Sequence, residues 1–329
     1  MYANQRYSIA DLESLNMTTE QQTLKAHFFE PETRCGHYVS AETKACWKAM
    51  LDMVEELDRI CRKYDIKYFL IAGSLLGAIR HKGFIPWDDD IDIALFRDDY
   101  ERLEKILPKE LPSNMFMQTM LTDPGYETAH MKIRLMDTAA ILAGAIQSHR
   151  RYNMGLFVDV FALDGVPRTN LGKRILTKIA SKWREFVSCH TSWTKQKCRR
   201  WKIKKFFYHI VWGIFGTRII YRLREWCFAR VKIRPDGDCV QAPCEWGYDQ
   251  RYRYPVALLQ NVLDVPFEYL TLKVPKKYDE VLTHTYGNWH EIVKGGSAHT
   301  IVAMSLSESY KNILVDRYGY TAMELANLP

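Results

Sequence analysis

Residues 68–96 read YFLIAGSLLGAIRHKGFIPWDDDIDIALF, and the reading of this stretch decides the fold. Residues 68–72 form a short apolar run ending at Gly73, the pattern of a buried strand. Gly73 and Ser74 turn the chain. Ser74 is placed to cap a helix through Leu75, Leu76, Ala78 and Ile79 that ends near Arg80. Lys82, Gly83 and Pro86 break that helix. A second strand is expected over residues 88–96, with Asp88, Asp90 and Asp92 at period two. Alternate residues of a strand share a face, about 6.6 Å apart along it. Asp90 and Asp92 then face one way while Ile91 and Ile93 face an apolar core, and Asp89 points away from Asp90. Carboxylates this close raise each other's pKa unless a cation lies between them. Their hard oxygens suit Mg²⁺ or Mn²⁺ shared with substrate phosphates. The Gly73–Ser74 turn adds a helix N-terminus, whose N–H groups and dipole attract an anion. Strand, Gly-Ser turn, helix and Asp-x-Asp strand together make a layout for phosphoryl transfer.

Over GSLLGAIRH (residues 73–81) and GFIPWDDDID (residues 83–92) the chain resembles the LicD family, within the polymerase-β-like nucleotidyltransferase superfamily. VPKKYDEVLTHTYGNWH (residues 274–290) resembles that family's C-terminal motif, except that His290 stands where the family continues with Pro. The likeness covers most of residues 40–167 and 265–290. It implies an α+β fold with a mixed sheet flanked by helices. It implies transfer of a phospho-alcohol, typically phosphocholine, from a CDP-activated donor such as CDP-choline to a sugar hydroxyl. Related proteins transfer ribitol phosphate, so the alcohol stays open.

Asp159 sits in the apolar run LFVDVF (residues 156–161), where a carboxylate is expensive unless paired or metal-bound. The resemblance implies that it is the third carboxylate of the site, as metal ligand or as base for the acceptor hydroxyl. Asp88 shares the face of Asp90 and Asp92, as a further ligand or an acid behind them. Gly73 and Ser74 are phosphate-contact candidates. Arg80 either neutralises a phosphate or faces the helix C-terminal dipole. Lys132 and Arg134 share one face of an expected strand over residues 130–135 and are candidates for the donor diphosphate. Tyr286 and Trp289 either stack on the cytosine or pack the core. Asp164, before Pro167, reads as a turn residue.

The 329 residues, 47% hydrophobic and 26% charged, describe a globular chain with a sizeable core. No secretory leader pattern opens it, and no apolar run is long enough to span a bilayer. The eight cysteines contain no CxxC pair; Cys239 and Cys244 are the nearest to a zinc pair, and reduced thiols are expected. The net charge of +7 is unevenly spread. Residues 168–234 hold 19 Lys and Arg against Glu185 and Glu225, so +17, and the remainder nets −10. Three basic amphipathic helices with interleaved aromatics are expected there. The partner read for them is an anionic membrane surface rather than nucleic acid, with a plain solvated face as the bland alternative.

The expected organisation is a lead-in (1–40), a catalytic core (41–167), the basic helical insert (168–234) and a C-terminal part completing the catalytic domain (235–329). The expected location is the cytoplasmic face of the cell membrane. A glycan or glycolipid acceptor follows from the resemblance. Two rival readings remain at this point: an NTP-using nucleotidyltransferase that releases pyrophosphate, and a membrane-docked adaptor without activity.

Overall fold

The computed structural model describes residues 19–191, 199–243, 248–293 and 300–329. Helix α1 (Thr19–Ala26) and a hairpin of β1 (Glu32–Arg34) and β2 (His37–Val39) lead to the long helix α2 (Ala41–Lys63). Ser40 caps α2, accepting from the Thr43 N–H at 3.2 Å. One stripe of α2, including Trp47, Met50, Leu51, Val54, Leu57 and Ile60, is buried against the sheet.

The sheet carries the site. After β3 (Phe69–Leu70) comes α3 (Ala72–His81), then β4 (Asp92–Phe96) and α4 (Arg97–Glu110). Next are β5 (Met115–Gln118), β6 (Met131–Leu135), β7 (Ala139–Leu142), α5 (Ala143–Gln147) and the nine-residue β8 (Phe157–Gly165), buried throughout. Strand β8 is central. On one side it pairs with β4 in parallel; on the other its first half pairs antiparallel with β6 and its end with β9 (Asp238–Gln241). β10 (Arg253–Pro255) follows β9, and β3 and β5 complete a seven-stranded mixed sheet. A fully buried central strand reads as a near-continuous apolar run, as this one does apart from its acids.

Two antiparallel helices leave the sheet after β8: α6 (Asn170–Thr191) and α7 (Arg199–Ala229), the latter bent at Gly216, where φ is 70° and ψ 160°. The three helices expected here are α6 and the two arms of α7, which part at Gly216, where the backbone leaves the helical region. Beyond β10, α8 (Val256–Leu259) precedes a hairpin of β11 (Val262–Phe267) and β12 (Leu270–Pro275), then α9 (Tyr278–Tyr286) packs on α3. β13 (Ile301–Ser305) pairs with β7, and α10 (Tyr310–Tyr318) and α11 (Ala322–Leu325) close the chain around a small second core. Cys239 is buried, which pushes its thiol up to about 12. Cys244, its proposed partner, lies outside the described residues.

Three expectations are corrected. The strand expected from residue 88 begins only at Asp92. Carboxylate oxygens of Asp88, Asp89 and Asp90 lie within 4.8 Å of one another, which alternation on a strand would forbid. That segment is instead pinned piecewise: Trp47 Nε1 donates to the Asp88 carbonyl (3.2 Å) and the Asp159 N–H donates to the Ile91 carbonyl (2.9 Å). Ser74 is not the helix cap. Ala72, at φ 52°, turns the chain earlier, Ile71 holds the cap position, and Ser74 Oγ accepts from the Asp92 N–H at 2.8 Å. Asp164 is not a turn residue either. It ends β8, fully buried, and takes both prongs of the Arg97 guanidinium at 2.6 Å.

That ion pair also docks the insert, since Arg97 reaches Glu225 of α7 at 2.5 Å. Burial pushes the Glu225 carboxyl up, but Arg224 and Arg97 outweigh it and hold the group below its ordinary 4.5. A depressed carboxylate adds stability above its ordinary pKa and loses it as pH falls through the lowered one. Arg97→Ala, which strands buried Asp164, is expected to lower the unfolding free energy by about 3 kcal/mol. Glu225→Gln is expected to flatten the loss of stability seen as the wild type is taken below pH 4.5. Urea unfolding across a pH series reads both.

Candidate active site

The site forms where β4 and β8 run side by side. Asp92 and Asp159 are direct partners in the parallel register, so both side chains leave the same face of the sheet. On the other side of β8, Lys132 of β6 is the register partner of Asp159. Asp92, Asp159 and Lys132 therefore form one row across three strands. Asp90 joins from the segment before β4, and ligand oxygens of Asp90, Asp92 and Asp159 all lie within 4.8 Å of one another. Asp90 and Asp159 are buried and Asp92 is partly so.

Burial first, then the charges of Asp90, Asp159 and Asp88, pushes the Asp92 carboxyl well above its ordinary range. Lys132 counters part of this by donating to Asp159 Oδ1, while its ammonium lies 3.5 Å from the Phe157 ring centre. His130 Nε2 approaches the same Asp159 oxygen at 3.4 Å. Three acids against one such lysine leave a surplus of negative charge, and hard, convergent oxygens are what a small divalent cation requires. The donor set fits Mg²⁺ or Mn²⁺.

A cavity of about 650 Å³ opens over Asp90 and Asp92, while the buried Asp159 is not among the residues that line it. Its floor includes Asp88, Asp90 and Asp92, and one wall is Ala72 and Gly73, at the N-terminus of α3. At Gly73 a Cβ would sit 2.7 Å from Asp88 Oδ2, so a larger residue there would push the Asp88 carboxylate aside. Gly77 is required by space, because a Cβ would sit 2.4 Å from the Gly83 carbonyl oxygen. That close approach seats the 82–84 loop against α3, where the Gly83 N–H donates to the Gly77 carbonyl (3.3 Å). Glu268, from the β11–β12 turn, accepts from the Phe84 N–H (3.1 Å) and from both prongs of Arg34, fixing the loop from outside.

The sequence-derived candidates separate into three groups. Asp90, Asp92 and Asp159 come together, and Asp88 belongs to an adjoining cluster with Asp89 and Asp90. Gly73 and Arg80 line the cavity. Arg80 also donates to the carbonyls of Trp289 (3.0 Å) and Glu291 (3.1 Å), tying α3 to the far wall. Ser74 stands behind Asp92 as its backbone anchor. Lys132 and Arg134 do share a face of β6, but neither lines the cavity. Lys132 serves Asp159, and Arg134 is buried, donating to Gln118 Oε1 (2.8 Å) and to the Gly155 carbonyl (2.5 Å). A diphosphate role for Arg134 is therefore at odds with where its donors point.

Several lining residues were not singled out from sequence. Gln241, Arg251, Tyr252, Tyr254 and Asn288 join Tyr286 and Trp289 on the wall facing α3. Asn288 lies inside the C-terminal motif, but the sequence around the other four carries no period or motif, and the pairing of β9 and β10 with the main sheet brings that segment to the site.

Residues 65–161 match the family described as LicD/FKTN/FKRP, nucleotidyltransferase domain. The chain carries a LicD-family domain, and the acids of the site lie within the matched span. Among relatives, it is 28% identical over 253 residues to the lipopolysaccharide cholinephosphotransferase LicD of Haemophilus influenzae, covering 74% of this chain and 89% of that protein. It is 30% identical over 92 residues to the human ribitol 5-phosphate transferase FKRP, a span of 25% of this chain and 19% of that protein. An uncharacterized Rickettsia prowazekii protein is 39% identical over 61 residues.

Removing one charge from the acid cluster relieves repulsion and removes a ligand. Asp92→Asn is expected to raise the melting temperature in chelator by about 2 °C or more. It is also expected to abolish the rise in melting temperature that Mn²⁺ gives the wild type. Scanning fluorimetry with and without Mn²⁺ measures both.

Proposed function

We propose that this chain transfers a phospho-alcohol, phosphocholine first among them, from a CDP-activated donor to a hydroxyl of a cell-surface glycan precursor, releasing CMP. The carrying observation is the in-register Asp92–Asp159 pair with Asp90 beside it, under a cavity that opens on the N-terminus of α3. The likeness to the cholinephosphotransferase and ribitol phosphate transferase supports the reaction class. The polymerase-β-like core is part of the same proposal.

Asp90, Asp92 and Asp159 would hold Mg²⁺ or Mn²⁺. That ion, when bound, neutralises the donor diphosphate and aligns it for in-line displacement. The rest falls to the chain's own groups. Ala72 and Gly73 present the positive end of α3 to a phosphate oxygen. Arg80, on the cavity wall at the other end of α3, would add a positive charge to the same cavity. The aromatic wall of Tyr252, Tyr254, Tyr286 and Trp289 offers flat faces to a cytosine ring. Lys132 and His130 orient the Asp159 carboxylate from behind. In this reading Asp159 would also serve as the base that takes the proton of the attacking hydroxyl. The acceptor, a glycan or glycolipid precursor at the cytoplasmic face of the cell membrane, supplies that hydroxyl.

CMP release from CDP-choline, CDP-ribitol and CDP-glycerol, with Mg²⁺ and a glycan acceptor, tests this. The wild type is expected to turn over at least one of them. Asp90→Asn, Asp92→Asn and Asp159→Asn are each expected to cut the rate by more than about 100-fold. Pyrophosphate release from an NTP, with every CDP-alcohol untouched, would point to the nucleotidyltransferase reading. No binding of Mg²⁺ or cytidine nucleotides by calorimetry would point to an adaptor.

A further inference from the structure

The basic insert has two apolar sides, and only one is used. The inner side of α6 and α7 is buried: Val187, Trp212, Ile220 and Tyr221 close over Met120 of the core. Tyr221 donates to Glu104 at 2.5 Å, and Arg224 reaches the Thr128 carbonyl at 3.3 Å. The outer side of α7 repeats the apolar pattern at helical spacing. Ile203, Phe206, Ile210 and Ile214 are exposed before the bend, and Ile219, Leu223 and Trp226 after it. Phe206 and Ile214 are 63% and 70% exposed. A helix that is apolar all round needs an apolar environment on both sides, and this outer stripe has none among the described residues.

Charge identifies what would cover it. The insert nets +17, and its two acids are spent internally. Glu225 docks the insert on Arg97, and Glu185 bridges the hairpin through Lys182 and Lys204. The cations Arg174, Lys178, Lys182 and Arg184 of α6, Arg218 and Arg222 of α7, and Arg230 just beyond it, are exposed. A groove of about 610 Å³ between the helices has almost wholly apolar walls, Phe215, Ile219 and Leu223 among them, with Lys178 and Lys182 at its edge. Lysine stems lying along apolar surface with their ammoniums at its rim are the arrangement of a protein resting in a lipid headgroup layer. A second copy of the same face would set +17 against +17. No described helix is long and apolar enough to cross a bilayer, so the contact is a resting one.

We propose that the outer face of α7, with the adjoining edge of α6, docks on an anionic lipid bilayer, its Phe, Ile, Leu and Trp side chains entering the headgroup region between lysines and arginines. Vesicle binding needs no turnover, so this stands or falls apart from the transfer reaction. The test is co-sedimentation of the full chain with vesicles of phosphatidylcholine alone and of equimolar phosphatidylcholine and phosphatidylglycerol. The wild type is expected to bind the anionic vesicles and to lose binding as salt is raised. The triple variant Phe206→Ser, Ile210→Ser, Ile214→Ser alters only exposed side chains. It is expected to partition roughly tenfold or more weakly, with an unchanged circular dichroism spectrum. Should that variant misfold, Lys178→Glu with Lys182→Glu carries the test, with a loss of the same order. Absence of wild-type binding, or equal binding by a folded variant, overturns the proposal. So does light scattering that shows a dimer in the wild type and a monomer in the triple variant, with no vesicle binding by either.

Discussion

Two buried aspartates side by side on parallel strands are the constraint to which the rest of the structure answers. Asp92 and Asp159 occupy paired positions on β4 and β8. Neighbouring strands lie about 4.8 Å apart, so their carboxylates meet in a low-dielectric setting where both cannot stay charged without compensation. The fold answers locally with Lys132 in the same cross-strand row. Asp92, with Asp90, also lines a cavity, where the proposed cation would complete the balance. A site that repels itself when empty is primed for a cation, and such stored repulsion is found at functional sites.

The surroundings serve that arrangement by close approach rather than by additional charge. Glycine at 73 leaves room for the Asp88 carboxylate, and glycine at 77 lets the 82–84 loop pass under the helix. Ser74 Oγ and Trp47 Nε1 hold the backbone of the acidic segment where no sheet ladder does. The far wall comes from the C-terminal half of the chain, through β9, β10 and α9. The basic insert lies outside this economy. Its net charge is of opposite sign to that of the remaining chain, and one ion pair, Arg97 to Glu225, fastens the two.

Much of this could be read beforehand where the signal was local. The α2 stripe and the apolar run around Asp159 fall where periodicity puts them, whereas the turn expected at Gly73 and Ser74 comes earlier, at Ala72, and leaves both residues inside α3. The misreadings share one cause, since tertiary partners override local pattern. Asp88 to Ile91 alternate like a strand, yet Pro86 withholds an N–H just upstream and Trp47 claims a carbonyl. Ser74 has the chemistry of a cap, but the Asp92 N–H takes its oxygen. Asp164 precedes a glycine as a turn acid would, but Arg97, far away in sequence, makes it a strand residue. Lys132 and Arg134 were correctly placed on one face, but which anion that face meets depends on β8, which no spacing within β6 can reveal. Of the aromatic wall, Tyr286 and Trp289 could be read from the C-terminal motif, but Tyr252 and Tyr254 were illegible for the same reason.

The most direct measurement is a crystal of the chain grown with Mn²⁺ and a cytidine nucleotide, examined for the anomalous signal of manganese. The account predicts a peak about 2.1 Å from oxygens of Asp90, Asp92 and Asp159, bridged to phosphate oxygens facing Ala72 and Gly73. Manganese bound only by Asp88 and Asp89, or a nucleotide seated away from the β4–β8 row with no metal there, would contradict it.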